Sequence, residues 1–266
     1  MEYINVQGMI VKKIVKFFTL SIGLICFGCT NNYSLAQRSD TPSWRVKVAR
    51  PSYYPIKAIE IYGINNQEDW TVPLIGLVRA GNSSSLKSVR RYYDKNYYDG
   101  YGIVLTPYLN STLDQPMRNS VPPDSMYIKW VSLFDNTLYY TKIHFSNDIM
   151  KFMNYREHDD LTHSDCYHNT IVLGFLPNGH VKTWLYGCGR YTYISDQEPD
   201  KTIKTKVPNE YDPNDYTFYI DPLIKNAKKE GSSIIPVPWD KVDKVTIPPI
   251  NYRLENFSDI DKTLFH

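Results

Sequence analysis

Between Cys166 and Cys188 the chain runs through Thr170-Ile171-Val172-Leu173-Gly174-Phe175-Leu176, turns at Pro177-Asn178-Gly179 and returns through His180-Val181-Lys182-Thr183-Trp184-Leu185-Tyr186. Two runs of strand length, rich in β-branched and aromatic residues and joined by a Pro-Asn-Gly turn, predict a β-hairpin. Other segments carry the same grammar. Trp44-Arg45-Val46-Lys47-Val48 alternates and stops at Arg50-Pro51; Ile56 to Tyr62 begins a second strand, and Leu74 to Val78 is a short apolar candidate. Tyr127 to Leu133 and Leu138 to Phe145 alternate around a turn at Asp135-Asn136. Two small helices are expected. One is capped by Ser146-Asn147-Asp148 with the stripe Ile149, Phe152, Met153; the other opens at Asp221-Pro222 and is closed by Gly231. The tyrosine-dense stretch 90–98 reads as an exposed loop or edge, 107–124 as a long connection, and 156–168 as a polar segment. The fold class is mainly β: one β-rich, sandwich-like domain over residues 43–266 with antiparallel hairpins.

The N-terminus has a different character. Lys12, Lys13 and Lys16 precede the apolar stretch Phe17 to Ile25, and Cys26-Phe27-Gly28-Cys29 follows. That order is a secretory signal over residues 1–28. Gly28 before Cys29 resembles a bacterial lipobox, with Cys26 where Leu is usual, so Cys29 is the expected lipidation site. Residues 29–42 are then the lipidated terminus and a polar tether, and Thr30 after the cysteine favours the outer membrane by the same resemblance. Cleavage without lipid, or an uncleaved anchor helix, are the alternatives; the apolar run falls short of the roughly 20 residues a span needs. Met9 offers a second start that places the lysines where an ordinary signal has them.

Export changes the arithmetic. Of 30 basic and 28 acidic residues, Lys12, Lys13, Lys16 and Glu2 would be removed, leaving 27 of each in 238 residues. A neutral chain argues against a nucleic-acid partner, and 23 Tyr, 10 Phe and 5 Trp are too many aromatics for a disordered one. Cys26 would leave with the signal and Cys29 would carry lipid. Cys166 and Cys188 remain as an even pair in an oxidising compartment, and a disulfide pinning the hairpin is their simplest use; free buried thiols are the alternative.

Chemistry is scarce. The segment His163-Ser164-Asp165-Cys166-Tyr167-His168 could supply three zinc ligands if it curls, but a fourth ligand is not identified and Cys166 has a disulfide partner in view. His144 lies in an alternating strand. Ser132 follows Trp130-Val131 without the strained turn that exposes a nucleophile, and Asp159-Asp160 reads as solvated surface. No catalytic residue, metal or cofactor is expected. Two segments suit a protein partner better. Arg90, Arg91, Tyr92, Tyr93, Tyr97 and Tyr98 combine area with polar groups, although such rings equally cover a sheet edge. Glu157, Asp159, Asp160 and Asp165, or the run Asp196 to Asp200, could meet a basic face.

Trp44 to Val48 with Pro51 and Tyr54-Pro55, Lys129-Trp130-Val131-Ser132-Leu133 with Tyr139-Tyr140, and Leu173 to Leu185 resemble the opening, the central strand and the hairpin of an uncharacterised family of enterobacterial and related lipoproteins. Asn178 departs from that family's usual Pro-Gly-Gly turn. The resemblance covers roughly residues 43–190. Some members are type VI secretion immunity lipoproteins, so it implies a periplasmic protein, held on the outer-membrane bilayer by an N-terminal lipid, that binds and blocks a secreted phospholipase effector. An envelope lipoprotein with another partner, and a metal-dependent hydrolase using His163 to His168, are the competing expectations.

Overall fold

Two β-sheets meet across one apolar layer, and the strands read from alternation supply most of it. The computed structural model describes residues 41–76, 84–93, 97–159, 162–204, 217–248 and 252–265. The chain divides at Asp40. The expected export signal, Cys29 and the expected tether up to residue 40 lie outside the described residues; both sheets belong to the unit from Thr41 onward.

The first sheet has five strands. β2 (Ile56–Asn65) pairs with β3 (Trp70–Pro73) on one side and β6 (Ser125–Ser132) on the other; β6 pairs with β7 (Thr137–His144), and β7 with β13 (Lys201–Lys204), all antiparallel. Asn136, at φ 51°, makes the β6–β7 turn where Asp135-Asn136 predicts one. The second sheet has six strands in the order β15 (Arg253–Asn256), β12 (Arg190–Gln197), β11 (Val181–Gly187), β10 (Thr170–Phe175), β1 (Arg45–Ala49), β5 (Ser111–Leu113). The β10–β11 hairpin is antiparallel. At its tip the Gly179 N–H donates to Leu176 O at 3.0 Å, with Gly179 at φ 95°, a conformation that favours glycine. Strand β1 inserts beside β10 in parallel.

Inward residues of the two sheets form one core: Trp44, Val46 and Val48 of the β1 segment, Ile61 of β2, Ile128 and Trp130 of β6, Ile171, Leu173 and Phe175 of β10. Helix α2 (Asn147–Asn154) closes one end of that layer with Ile149, Phe152 and Met153, and Ser146 Oγ accepts from Ile149 N–H as its cap. A second core lies on the other face of the six-stranded sheet. There Val172 and Trp184 meet Leu86 and Val89 of α1 (Ser84–Tyr92), Leu223 and Ala227 of α3 (Thr217–Lys229), and Val242 of the short α4 (Trp239–Val242). Being covered on both faces, β10 is buried at all six positions. This is why it reads as a continuous apolar run instead of alternating.

The second core also consumes tyrosines. Tyr53, Tyr54 and Tyr101 are buried, and their hydroxyls donate to Glu230 Oε2 at 3.0 Å, Ile234 O at 3.1 Å and Ser233 O at 2.7 Å. A tyrosine buries an apolar ring and needs a partner for its tip. These three find theirs around the C-terminal end of α3.

Several expectations are corrected. The described chain has four helices, not two. Part of the stretch read as loop or edge is α1; among its described side chains Leu86 and Val89 alone are buried, an apolar stripe too short to stand out. The polar segment 156–168 contains a two-stranded hairpin, β8 (Arg156–Asp159) with β9 (Ser164–Tyr167). Helix α3 starts at Thr217, ahead of the expected Asp221-Pro222, so Pro222 sits inside it. Of the Leu74–Val78 candidate, Ile75 makes one isolated bridge to Asp114, and residues 77–78 lie outside the described chain. Two strands of two residues, β4 (Ile103–Val104) and β14 (Val245–Thr246), pair in parallel beside the second core.

Candidate functional site

The polar groups singled out from the sequence converge only in part. Cys166 and Cys188 are disulfide-bonded, with Cα atoms 5.3 Å apart. The bond ties the end of β9 to the β11–β12 turn, where Cys188 and Gly189 take positive φ. His168, two residues beyond Cys166, is fully buried and stacks on Phe152 at 4.2 Å. Its Nε2 lies 3.0 Å from Glu157 Oε1 and 3.1 Å from Arg190 Nη2, and Arg190 also donates to the second oxygen of Glu157. The hydrogen bond to His168, followed by the charges of His168 and Arg190, holds the Glu157 carboxyl below its ordinary range against the opposing effect of burial.

Ligand atoms of Glu157, His168 and Cys188 fall within 4.8 Å of one another. As a cation site this set is compromised. The Cys188 sulfur is committed to Cys166, and both other donors are engaged by the guanidinium of Arg190. His163, the other half of the sequence-level zinc candidate, is exposed at the β8–β9 turn with φ 50°. It does not join His168. Asp165 pairs with Arg156 and lies 3.6 Å from His158 Nδ1, while Asp159 accepts from Thr162 Oγ1 at 2.9 Å. Asp160 lies outside the described residues. Asp159 and Asp165 therefore belong to the pairing that holds a hairpin of almost purely polar sequence together, whereas the Glu157 carboxylate pairs outside it with His168 and Arg190. Ser132 is buried in β6 and His144 exposed at the end of β7.

The tyrosine-dense segment is divided between core and surface. Tyr98 is 2% exposed; its hydroxyl donates to Gly102 O and accepts from Ser52 N–H at 3.1 Å. Tyr93 and Tyr97 are half-buried, with rings 4.6 Å apart, packed against the second core. Arg90 bridges to Glu230 at 3.3 Å and Arg91 is exposed; the Tyr92 side chain lies outside the described atoms.

A different group of tyrosines faces outward. On the five-stranded sheet, strand register sets three rows on the face opposite the core. Tyr62, Tyr127 and Lys142 form the first; Glu60, Lys129, Tyr140 and Lys201 the second; Lys57, Val131, Leu138 and Ile203 the third. The Tyr62 and Tyr127 rings lie 6.2 Å apart, and those of Tyr127 and Tyr140 6.4 Å. Lys129 and Lys201 stand 5.9 and 5.7 Å from the centre of the Tyr140 ring, cation–π distance. Lys129 also bridges to Glu60 at 2.9 Å. Lys142 and Lys201 are exposed, Ile203 is 36% exposed, and the three tyrosines are half-buried. Four lysines against one glutamate make these rows basic. The alternation of each strand carries this pattern, but only the pairing register brings the three tyrosines together.

Residues 30–240 match the family model described as protein of unknown function (DUF2931). The chain belongs to that family. Within the DUF2931 match fall both sheets except β15, the disulfide, the Glu157–His168–Arg190 cluster and the outward tyrosine rows. No curated protein and no solved structure matches the chain.

Proposed function

We propose that this chain is a periplasmic immunity lipoprotein of the outer membrane, acting by binding and blocking a type VI secreted phospholipase instead of by turnover. The observation that carries the binding reading is the outward face of the five-stranded sheet, where Tyr62, Tyr127 and Tyr140 line up across three strands among Lys129, Lys142 and Lys201. Tyrosine supplies contact area with little entropy to lose and a polar tip; the lysines favour an acidic counter-surface. The phospholipase as partner comes from the family resemblance of residues 129–133 and 173–185, which form β6 and the β10–β11 hairpin. The lipid anchor expected at Cys29 would hold the inhibitor near the bilayer that such an enzyme attacks and raise its local concentration.

Periplasmic co-expression with a phospholipase effector encoded beside this chain tests the reading. The expected outcome is a complex that co-purifies and cells that survive the lipase. Reversing charge with Lys142→Glu and Lys201→Glu should weaken the complex at least about tenfold, roughly 1.4 kcal/mol, while leaving the melting temperature of the free protein near its original value. No protection by the unaltered chain would sink the immunity role. Protection and affinity unchanged by the double reversal would move the interface elsewhere.

A further inference from the structure

Where β1 leaves the six-stranded sheet, the chain builds a polar hollow that no role described so far uses. A cavity of about 250 Å3 opens between the end of β1, helix α1 and residues 104–111. Its polar wall comes from three separate segments: Arg50 and Ser52 just past the strand, Ser88 on the helix, and Asn110 and Ser111 from the connection. Among the described residues, no acidic side chain lines it.

Two of those wall groups carry the argument, one by its charge and one by a donor left without an acceptor. The Arg50 guanidinium, whose Nη1 donates to Pro51 O at 3.0 Å, is pushed down to about 10 by burial, offset in part by the neighbouring Tyr98 hydroxyl. Asn110 Nδ2 is buried with no hydrogen-bond partner among the described residues. The surroundings are basic as well. Lys47 lies two positions before Ala49 on β1, with Nζ donating to Pro107 O at 2.9 Å, and is lowered first by burial and then by the charge of Arg45. Burial strengthens the pull of a guanidinium on an anion, and an unsatisfied buried donor is costly to leave in place. Residues with guanidinium, amide and hydroxyl groups lining one hollow offer the recognition chemistry of an oxyanion. The volume sits below the usual range for drug-sized ligands, and Tyr108, 79% exposed, stands at the rim. Apolar side chains such as Leu109 and Val104 complete the wall.

We propose that this cavity binds a small oxyanion, a phosphate or carboxylate group, with Arg50 as its counter-charge and Asn110 and the Ser88 and Ser111 hydroxyls as further donors. The site is independent of how the sheet face is used. Lipid phosphate, free phosphate and short fatty acids all carry this chemistry, so the probes are inorganic phosphate and butyrate, each against sodium chloride at matched ionic strength.

The test is thermal unfolding of the purified domain with each probe, followed by calorimetric titration. The expected result is a rise in melting temperature of about 3–6 °C at ten times the dissociation constant, absent in sodium chloride and lost in Arg50→Met. Phosphate responding alone assigns the site to phosphate groups, and butyrate alone to carboxylates; either supports the proposal. Ser88→Asp supplies an internal carboxylate on the same wall. It should raise the melting temperature without ligand and abolish the response to both probes, which keeps the test decisive if Arg50→Met does not fold. An equal shift in sodium chloride, a shift retained by Arg50→Met, or a Ser88→Asp protein that is neither stabilised nor blocked would overturn the site.

Discussion

Gly63 of β2 lies under the indole of Trp44. A Cβ built there would be 2.5 Å from Trp44 Cη2 and 2.9 Å from Cζ2, distances no side chain accepts without moving the ring. Trp44 is fully buried and stacks with Trp70 at 6.1 Å, so it has little room to give. Gly63→Ala is therefore expected to destabilise the domain by about 1–3 kcal/mol, read as a lower denaturant midpoint with an unchanged slope. Trp44 announces itself in the sequence as the head of an alternating strand, but the glycine that makes room for it does not, because the two meet only through packing of one sheet on the other. Glu157 poses the same difficulty with charge. It reads as one carboxylate among many in a polar loop, yet it is the residue that His168 and Arg190 share. Its carboxyl is held below its ordinary value of 4.5, so the cluster contributes stability above that value and loses it as pH falls through the lowered folded value. Glu157→Gln should lower stability at neutral pH and flatten the acid limb of a stability–pH curve. An acid limb as steep as in the unaltered protein would place the linkage elsewhere.

At the level of elements, legibility tracks the source of each element's stability. The β6–β7 and β10–β11 hairpins are legible because each carries its own alternation or apolar run and its own turn residues. Hairpin β8–β9 carries neither. Arg-Glu-His-Asp and Ser-Asp-Cys-Tyr are joined by Arg156–Asp165 and by Asp159 with Thr162, and the disulfide tethers the end of the second strand to the β11–β12 turn; none of these has a periodicity to detect. The disulfide itself can be anticipated by counting the cysteines beyond the expected signal segment. What the count does not supply is that the bond anchors this polar hairpin as well as the apolar one. Replacing both Cys166 and Cys188 by Ser should cost about 3 kcal/mol in the loop-entropy picture. The first backbone amides to lose hydrogen-exchange protection should be those of β8 and β9; uniform loss across both sheets would show that the hairpin has no separate stability.

For the whole molecule, the abundance of tyrosine is largely an architectural matter, visible as composition but not as placement. Burial pushes the Tyr53, Tyr98 and Tyr139 hydroxyls up to about 12. In the unfolded chain they ionise near 10, so their contribution to stability is complete below about pH 10 and is lost as pH rises toward 12. Alkaline unfolding should coincide with a cooperative step in tyrosinate absorbance; gradual ionisation with the fold intact would contradict the burial of these rings. The position of β1 has a further consequence, in time instead of energy. It is the first strand among the described residues, yet it lies in the interior of its sheet, paired in parallel with β10 at residues 170–174 and antiparallel with β5 at residues 111–113. A polypeptide emerging N-terminus first exposes this strand long before either neighbour exists. Both of its edges cannot be covered until the chain has been made as far as residue 174, so the interval of synthesis is when this protein has most need of a chaperone.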